Sequence, residues 1–416
     1  ESRIFQDTLP HIKMVTNAPV IVEKSTGFEV INRYDEDSGI LATGNEVATV
    51  ALKDAKELLH DMLNDYDFVT ESDKSRAMAA LITPALVFGG ILNGRPPVTM
   101  LEADKSQTGK GFFNKLLCSI YSEEPVTVTQ RGRGVGGTDE SFDSALAKGK
   151  PFISLDNLRG KMDSPQIEAF LTESRYLARV PYSGSIDIDP SRYVVLATSN
   201  NLEMTRDLAN RASIVRIRKR GDSYRYAEYA EGSILDHIRA NQPLYLGAVF
   251  AIIQEWGKQG KPVSNDTGHD FRAWCRVLDW IVQNLLDCAP LLDGHREAQL
   301  LTTHPEAGWL KDIYGVVREL GEEQKPLTAF ELVERCELGG IALPGTNGAP
   351  LDALDEKGIK QVCSQVGRKI AGFHKKLGSD EQITVGGFSV GFGKQKMTYA
   401  SGNSEYANVY TFGTVA

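Results

Sequence analysis

The stretch TMLEADKSQTGKGFFNKLLCSIY, residues 99–121, decides the fold class of this chain. It opens with a short apolar run, passes through a polar turn, and ends in a segment whose apolar residues follow helical spacing. A strand, a loop and a helix in that order are the setting of a phosphate-binding loop with the pattern G-x-x-x-x-G-K-[ST]. Gly109 and Lys110 match this pattern, whereas Asp104 replaces its first glycine and Gly111 replaces its hydroxyl residue.

A loop of this kind binds a polyphosphate through backbone N–H groups and the N-terminus of the following helix, and its lysine adds a positive charge. The residues predicted to bind a nucleotide are Lys105, Ser106, Gln107, Thr108, Gly109, Lys110 and Gly111. Asp104 would bring a negative charge toward the phosphates unless it points away or pairs with Lys105. Gly111 offers Mg²⁺ no hydroxyl, so a water would take the place of that ligand. The alternative is a chance Gly-Lys pair in a polar turn.

Two later strands end in polar residues that suit nucleotide hydrolysis. FISLDN, residues 152–157, is mostly apolar up to Asp156, and Mg²⁺ needs an acidic group at the end of an adjacent strand. VVLATSNN, residues 194–201, ends in Asn200 and Asn201, whose amides can hold the attacking water. Each of these ends is also an ordinary strand-end cap or turn. Three strand ends that carry Lys, Asp and Asn in this order are harder to obtain by chance than any single one, so we interpret them as one NTPase site.

Strands alternate with helices across residues 97–200, which predicts an α/β fold with a mostly parallel sheet. A helical pattern follows, and helices followed by a glycine-rich hairpin predict a winged-helix-like module at the C-terminal end. The predicted domains are an N-terminal β-hairpin and helical collar (1–66), a P-loop NTPase core (67–225), a helical domain (226–322) and the winged-helix-like domain (323–416).

Composition and charge exclude several classes of protein. The 416 residues carry a formal net charge of -9, which excludes a uniformly basic nucleic-acid coat but not a local basic ring. The five cysteines are scattered and form no C-x-x-C pair, which argues against a zinc ribbon or a disulfide framework and predicts a reducing, cytoplasmic compartment. No apolar run is long enough to span a bilayer, so we expect no membrane partner.

The order TGKG (108–111), FISLDN, a β-hairpin, VVLATSNN and RDLANR (206–211) resembles that of AAA+ ATPases. More narrowly, it is similar to the pre-sensor-1 hairpin clade, which contains the superfamily III and MCM helicases. The phrases LATSNNLEMTRDLANR and AVFAIIQEWGKQGKP resemble replicative helicases and primase-helicases of phages and other bacterial mobile elements. The resemblance covers residues 68–290, and it implies ATP and Mg²⁺ as cofactors and a ring of subunits.

The resemblance also implies a role for the polar residues at the three strand ends. Lys110 would bind the β- and γ-phosphates, and Asp156 would hold Mg²⁺ directly or through water. Asn157 stands where many AAA+ proteins place a glutamate base, and an amide can orient a water although it accepts a proton weakly. Asn200 resembles the sensor-1 residue, which contacts the γ-phosphate region.

Arg211 resembles the arginine finger that reaches the γ-phosphate of a neighbouring subunit, and Arg206 is the second candidate. Such a finger stabilises the charge of the transition state and contributes about 10³–10⁵ in rate. The alternative for Arg211 is a surface arginine beside the basic stretch RIRKR, residues 216–220.

Two segments are candidates for contact with DNA. The hairpin YLARVPYSGSIDID would project into the pore of a ring, where Arg179 or Tyr182 would touch phosphates or bases. The alternative is a structural hairpin that packs on the neighbour, and the acidic second strand weakens the first interpretation. In the C-terminal module, GRKIAGFHKK places Lys369 and Lys375 on one helix, either as phosphate contacts or as part of a solvated basic face.

The sequence as a whole predicts a hexameric, ring-forming ATPase that moves on single-stranded or forked DNA as a helicase of a mobile element, with a primase or an initiator as a further partner. The rival function is a remodelling or loading ATPase without unwinding activity, which the scarcity of basic residues on the hairpin favours. A third interpretation is a nucleotide-binding scaffold without turnover, which Gly111 and Asn157 favour.

Overall fold

The chain is described from a computed structural model. The described residues are 12–103, 108–129, 137–158, 161–180, 184–200, 203–221, 223–346, 350–377, 382–385, 388–398 and 404–414. The chain divides into two compact units, Glu1–His295 and Arg296–Ala416. The division into four domains, one of which spans residues 226–322, stays a prediction.

The described residues form nineteen strands and thirteen α-helices. The strands are β1 (Met14–Thr16), β2 (Val20–Lys24), β3 (Gly27–Ile31), β4 (Tyr34–Asp35), β5 (Ile40–Ala42), β6 (Asp67–Phe68), β7 (Val98–Ala103), β8 (Val126–Thr129), β9 (Phe152–Leu158), β10 (Lys161–Met162), β11 (Tyr176–Val180), β12 (Gly184–Ile188), β13 (Val194–Asn200), β14 (Glu203–Met204), β15 (Ala212–Arg218), β16 (Leu327–Thr328), β17 (Gln382–Val385), β18 (Phe388–Thr398) and β19 (Ser404–Thr414). The helices are α1 (Leu52–Asp61), α2 (Glu71–Phe88), α3 (Lys110–Ile120), α4 (Thr138–Leu146), α5 (Pro165–Thr172), α6 (Arg206–Asn210), α7 (Ile234–Ala240), α8 (Gln242–Lys258), α9 (Arg272–Asn284), α10 (His295–Thr303), α11 (Pro305–Glu319), α12 (Ala329–Leu338) and α13 (Glu356–Leu377). Across the described part of the chain, no helix has both the length and the apolar character needed to cross a membrane.

A six-stranded sheet forms the centre of the first unit, in the order β6-β15-β7-β13-β9-β8. The five strands from β15 to β8 are parallel, and β6 pairs antiparallel with β15 at one edge. The predicted α/β fold with a mostly parallel sheet is therefore confirmed. Strands β7 and β9 are buried along most of their length, which explains the nearly continuous apolar runs in VTMLEA and FISL.

The strands do not lie in the order of the sequence. Strand β13 lies between β7 and β9 and pairs with both, and β15 pairs with the other side of β7. The chain therefore leaves β7 toward one edge of the sheet and later crosses back over β7 to reach β15. Such a reversal opens a crevice at the carboxyl ends of the strands, which is where open α/β sheets bind their ligands.

Helix α2 packs against this sheet through a buried ion pair. Asp73 and Arg76 are both fully buried. Arg76 Nη2 donates to Asp73 Oδ1 at 2.6 Å, and Arg76 Nε donates to the carbonyl of Ile214 in β15 at 2.7 Å. Asp73 also accepts from the backbone N–H of Arg216 at 3.0 Å and forms a capping box with Thr70. These bonds join the start of α2 to the middle of β15.

Backbone contacts and a proline set the ends of two helical segments. Helix α2 ends at Phe88, where the chain passes close to β2, since a Cβ on Gly89 would lie 1.8 Å from Ile21 O. The helical segment 234–258 is divided into the two helices α7 and α8. Pro243 lies in the first turn of α8 and has no N–H with which to continue α7.

The second unit has its own hydrophobic core and a four-stranded antiparallel sheet, in the order β16-β19-β18-β17. Along the chain, α11 precedes β16, the helices α12 and α13 follow, and strands β17 to β19 come last. The core contains Val366 and Phe373 of α13 together with Tyr410 and Phe412 of β19. The winged-helix assignment of this unit stays a prediction.

Candidate nucleotide-binding site

Three of the predicted site residues belong to neighbouring elements at the carboxyl edge of the sheet. Lys110 opens α3, directly after the loop that follows β7. Asp156 lies near the end of β9, and Asn200 ends β13, opposite Ala103 of β7. The side chain of Asn200 is not among the described ones. The three strand ends grouped from the sequence are therefore adjacent in the fold, while the role of each residue stays a prediction.

The described end of the loop, Thr108 and Gly109, leads directly into the N-terminus of α3, where an anion would bind. The predicted loop residues Lys105, Ser106 and Gln107 lie outside the described residues. Gly109 precedes α3 with a φ of 87°, a left-handed conformation that glycine adopts without strain. The first turn of α3 contains no acidic residue, so its own side chains do not neutralise the partial positive charge of its N–H groups. The mostly buried Lys110 donates from Nζ to Thr108 Oγ1 at 3.1 Å.

Position 111 faces the carboxylate of Asp156. A Cβ on Gly111 would lie 3.9 Å from Asp156 Oδ1, which is ordinary van der Waals contact. In phosphate-binding loops the hydroxyl residue and the acidic residue share the bound Mg²⁺, so Gly111 and Asp156 have the relative placement that this chemistry needs. Mg²⁺ prefers oxygen ligands and keeps several waters, and the space beside Gly111 allows a water where a hydroxyl would otherwise stand.

A β-bulge sets the end of β9. The strand has one more residue than β13 across this stretch, so Asp156 and Asn157 both lie opposite Thr198. Asn157 has a φ of 55°, a conformation that asparagine adopts more readily than most residues. The bulge therefore ends the regular pairing at the point where a carboxylate and an amide follow each other along the strand.

Thr198 ties the two residues of this bulge together. Its Oγ1 donates to Asp156 Oδ1 at 2.7 Å and accepts from the backbone N–H of Asn157 at 2.8 Å. Thr198 is buried, so its hydroxyl is held in one place and fixes the orientation of the carboxylate. No sequence pattern points to Thr198, because it lies inside the run VVLATSNN, where a threonine is an ordinary strand residue. Only its position opposite a strand-end carboxylate distinguishes it.

A cavity of about 230 Å³ lies beside the loop. Thr108 and Gly109 form part of its wall, together with the aromatic side chains of Tyr66, Phe112 and Tyr226. A nucleobase is flat and has apolar faces, and it packs well against aromatic rings. The cavity therefore suits the base of a nucleotide whose phosphates lie at the N-terminus of α3.

Tyr66 is the least exposed of the three aromatic residues named for this cavity. Its ring meets Phe113 edge-on at 5.7 Å and lies 3.4 Å from where a Cβ on Gly109 would stand. Its buried hydroxyl makes no hydrogen bond to any described residue, and burial raises its pKa, so the group stays neutral. The sequence offered no signal for Tyr66, which lies at the boundary between two predicted domains.

Arg211 lies at the amino ends of the strands, opposite to the carboxyl ends that carry Lys110 and Asp156. Its carbonyl accepts from the N–H of Val98, the first residue of β7, at 3.0 Å. The six residues of β7 separate this end from the phosphate-binding loop by about 17 Å. Arg211 Nη1 lies 4.0 Å from Glu168 Oε2, and the side chain is partly exposed. Arg206 is exposed in the first turn of the same short helix, α6.

The hairpin of β11 and β12 carries an exposed arginine. Arg179 is exposed, and its backbone N–H donates to Asp143 Oδ2 at 3.0 Å. On the same face of β11, Leu177 is 64% exposed, and Arg175 pairs with Asp187 of β12. The predicted Tyr182 lies outside the described residues. The described hairpin thus combines a cation with an exposed apolar side chain, but it also holds an acidic residue, as predicted from SIDIDP.

The two predicted DNA-contacting lysines of the second unit have different surroundings. Lys375 is exposed on α13, as is Arg368. The Nζ atom of Lys369 lies 4.1 Å from the ring centre of Trp309, and burial lowers the pKa of this lysine. Lys369 is therefore engaged within the unit, whereas Lys375 faces solvent.

No protein-family model matches the chain, and no curated protein matches it. Among solved structures, the chain is similar to the apo A form of the NrS-1 C-terminal region, with 12% identity, a TM-score of 0.35, and coverage of 96% of this chain and 85% of that one. It is also similar to the active helicase Cch of SCCmec type IV, with 13% identity, a TM-score of 0.35, and coverage of 86% and 78%.

Proposed function

We propose that the chain is an ATP-hydrolysing motor of the AAA+ type that assembles into a ring, by prediction a hexamer, and moves on single-stranded or forked DNA. One observation carries the proposal. The order of the strands brings Lys110, Asp156 and the end of β13 to the carboxyl edge of the sheet and leaves Arg211 at the other edge. That division suits a site completed by a second subunit.

Each residue at the carboxyl ends of the strands would have its own role in binding and hydrolysing the nucleotide. The N-terminus of α3 and the ammonium group of Lys110 bind the phosphates. Asp156, oriented by Thr198, would hold Mg²⁺, which supplies charge neutralisation for the β- and γ-oxygens when it is bound. Asn157 and Asn200 would orient the attacking water, since an amide can both donate and accept hydrogen bonds. The cavity with Tyr66 and Phe112 would hold the base.

The placement of Arg211 supports action between subunits. The backbone of Arg211 lies about 17 Å from the loop of its own subunit, which is farther than an arginine side chain extends, so its guanidinium cannot reach that subunit's γ-phosphate. A neighbour that brings its carboxyl edge against this amino edge would receive the arginine. The proposal therefore includes a homo-oligomer in which each ATP lies between two subunits.

The proposal that DNA is a partner is supported by the hairpin of β11 and β12 and by the second unit. Arg179 and Leu177 would present a charge to the phosphates and an apolar contact to the bases. The order helix, strand, two helices and a long antiparallel hairpin in the second unit supports the winged-helix interpretation, with Lys375 on its exposed face. A primase or an initiator protein remains a predicted partner, as does origin from a mobile element.

An ATPase assay with and without single-stranded DNA tests the proposal, with Lys110→Ala as the variant. The expected result is turnover that DNA stimulates and that the variant loses, since Lys110 contacts the phosphates. Turnover that does not respond to DNA would favour the rival function, a remodelling or loading ATPase. Binding of ATP without any turnover would favour the scaffold interpretation and would overturn the motor.

A further inference from the structure

A single carboxylate, that of Glu168 in α5, lies near both ends of the short helix α6. The hydroxyl of Thr205, which N-caps α6 by accepting from Leu208 N, donates to Glu168 Oε1 at 2.6 Å. Arg211, which ends the helix, lies 4.0 Å from Glu168 Oε2. A helix of five residues is only about 7.5 Å long, so one side chain can reach its first and last residues.

The helix that carries Glu168 is itself fixed against the hairpin of β11 and β12. Phe170 of α5 meets Phe142 of α4 edge-on at 5.2 Å and Tyr176 of β11 edge-on at 5.5 Å. Next to Phe142, Asp143 accepts from the hydroxyl of Tyr176 at 2.6 Å and from the backbone N–H of Arg179. The hairpin, α4 and α5 therefore form one packed block.

These contacts make a continuous path from the hairpin to Arg211. We propose that Glu168 is a positioning residue, which holds α6 in place and directs Arg211 toward the nucleotide of the neighbouring subunit. The inference rests on the proposed function, because it assumes that Arg211 acts between subunits. Glu168 lies beside Arg211 at the amino ends of the strands, away from the loop of its own subunit.

The physical reason is the freedom of a long side chain. An arginine side chain has many rotamers, and a partly exposed one samples many positions unless something restrains it. A carboxylate that pairs with the guanidinium on one side leaves its remaining N–H donors available to a phosphate. A misplacement of about 1 Å in a catalytic group can cost about 100-fold in rate. The restraint therefore acts on kcat and leaves ATP binding in the same subunit unchanged.

The substitution Glu168→Gln tests the negative charge beside Arg211 separately from the hydrogen bond to Thr205, the N-cap of α6. The glutamine oxygen still accepts the hydroxyl of Thr205, but the negative charge beside Arg211 is gone. We expect kcat to fall about 10- to 100-fold, with an unchanged KM for ATP and an unchanged ring. The matched control is Glu173→Gln, which removes an exposed negative charge from the end of the same helix and should leave turnover as it was.

Mixed rings distinguish positioning of Arg211 from a merely structural role. Subunits with Glu168→Gln keep a complete loop, and subunits with Lys110→Ala keep a correctly held Arg211. In a mixed ring, the loop of a Glu168→Gln subunit can meet Arg211 of a Lys110→Ala subunit, and this interface has both parts of the site intact. The mixture should therefore hydrolyse ATP faster than either variant alone. No recovery on mixing, or a wild-type kcat for Glu168→Gln, would overturn the inference and leave the proposed function standing. Absence of turnover in the wild-type protein would instead overturn the proposed function.

Discussion

Thr198 donates its hydroxyl proton to Asp156 Oδ1 at 2.7 Å, from the strand beside the one that carries the carboxylate. Removing the hydroxyl with Thr198→Val keeps the shape of the side chain but frees the carboxylate to rotate. Residues that orient a metal-binding group typically contribute about 10- to 100-fold, so we expect Mg²⁺ to bind that much more weakly. Titration of Mg²⁺ against nucleotide binding measures this.

Thr198→Ser is the matched control for that experiment, because it keeps the hydroxyl and loses only a methyl group. The serine variant should retain nearly all of the affinity for Mg²⁺. Equal losses in the valine and serine variants would mean that packing of the methyl group, and not the hydrogen bond to Asp156, accounts for the effect.

Gly111→Ser should restore the missing hydroxyl at the start of α3. The space is available, since a Cβ there would be in ordinary contact with Asp156 Oδ1 at 3.9 Å. We expect the Mg²⁺ concentration that half-saturates nucleotide binding to fall several-fold. This corresponds to about 1 kcal/mol in the free energy of Mg²⁺ binding, the value of one added hydrogen bond. Gly111→Ala adds the carbon without the oxygen, and a matching gain in that variant would contradict the explanation.

Arg211→Ala should abolish most of the turnover without affecting nucleotide binding. An arginine finger contributes about 10³–10⁵ in rate, and its loss should leave the KM for ATP unchanged because the arginine lies far from the loop of its own subunit. Arg206→Ala, at the exposed start of the same helix, is the comparison. Should Arg206→Ala prove the more damaging of the two, the second candidate for the finger would be correct.

Asp73→Asn should destabilise the first unit strongly. The change leaves Arg76 fully buried and without its counter-charge, which typically costs about 3–5 kcal/mol. Urea unfolding monitored by fluorescence or circular dichroism would measure the loss. Asp187→Asn breaks a pair on the exposed hairpin and should change the unfolding free energy little. Similar effects of the two substitutions would argue against a special role for burial.

The first unit should lose stability as the pH falls below about 6.5. His269 and His295 are buried with Nε2 at 3.2 and 3.1 Å from the carbonyl of Ala212, and burial lowers the pKa of both. The unfolded chain takes up these protons near pH 6.5, whereas the folded chain resists them, so protonation favours unfolding. Each histidine can contribute at most about 1.4 kcal/mol per pH unit, and stability above pH 6.5 is unaffected by them.

Urea unfolding at several pH values between about 5 and 8 would measure this dependence, with His295→Gln as the comparison. The glutamine cannot take up a proton in this range, so the variant should show a smaller slope with pH. An identical slope in the variant would show that other groups are responsible.

The sequence predicted the central sheet well because its buried parallel strands carry long apolar runs that few other structures produce. VTMLEA matches β7 residue for residue, and the polar ends of FISLDN and VVLATSNN coincide with the carboxyl ends of β9 and β13. Local patterns could not give the neighbours of each strand, since the crossing of the chain over β7 depends on long-range packing.

The residues that sequence reasoning missed act through such long-range contacts. Thr198 lies in a strand, Tyr66 at a predicted domain boundary and Glu168 in a helix, and none of the three belongs to a recognisable sequence motif. Each gains its importance from a residue distant in the sequence, as Glu168 does from Thr205, which is 37 positions away. The surroundings of Lys369 show the same limit, because its position over Trp309 follows from packing and not from the basic run that contains it.

The length of β7 has a consequence for how the proposed motor would respond to its own abundance. The loop follows the carboxyl end of β7, and Arg211 lies beside its amino end. Each copy of the chain would therefore supply the loop of one nucleotide site and the arginine of another, and no copy would form a complete site alone. Dilution below the assembly threshold would therefore silence each copy, and specific activity would rise steeply with protein concentration. The amount of protein made in the cell would then act as the on–off control.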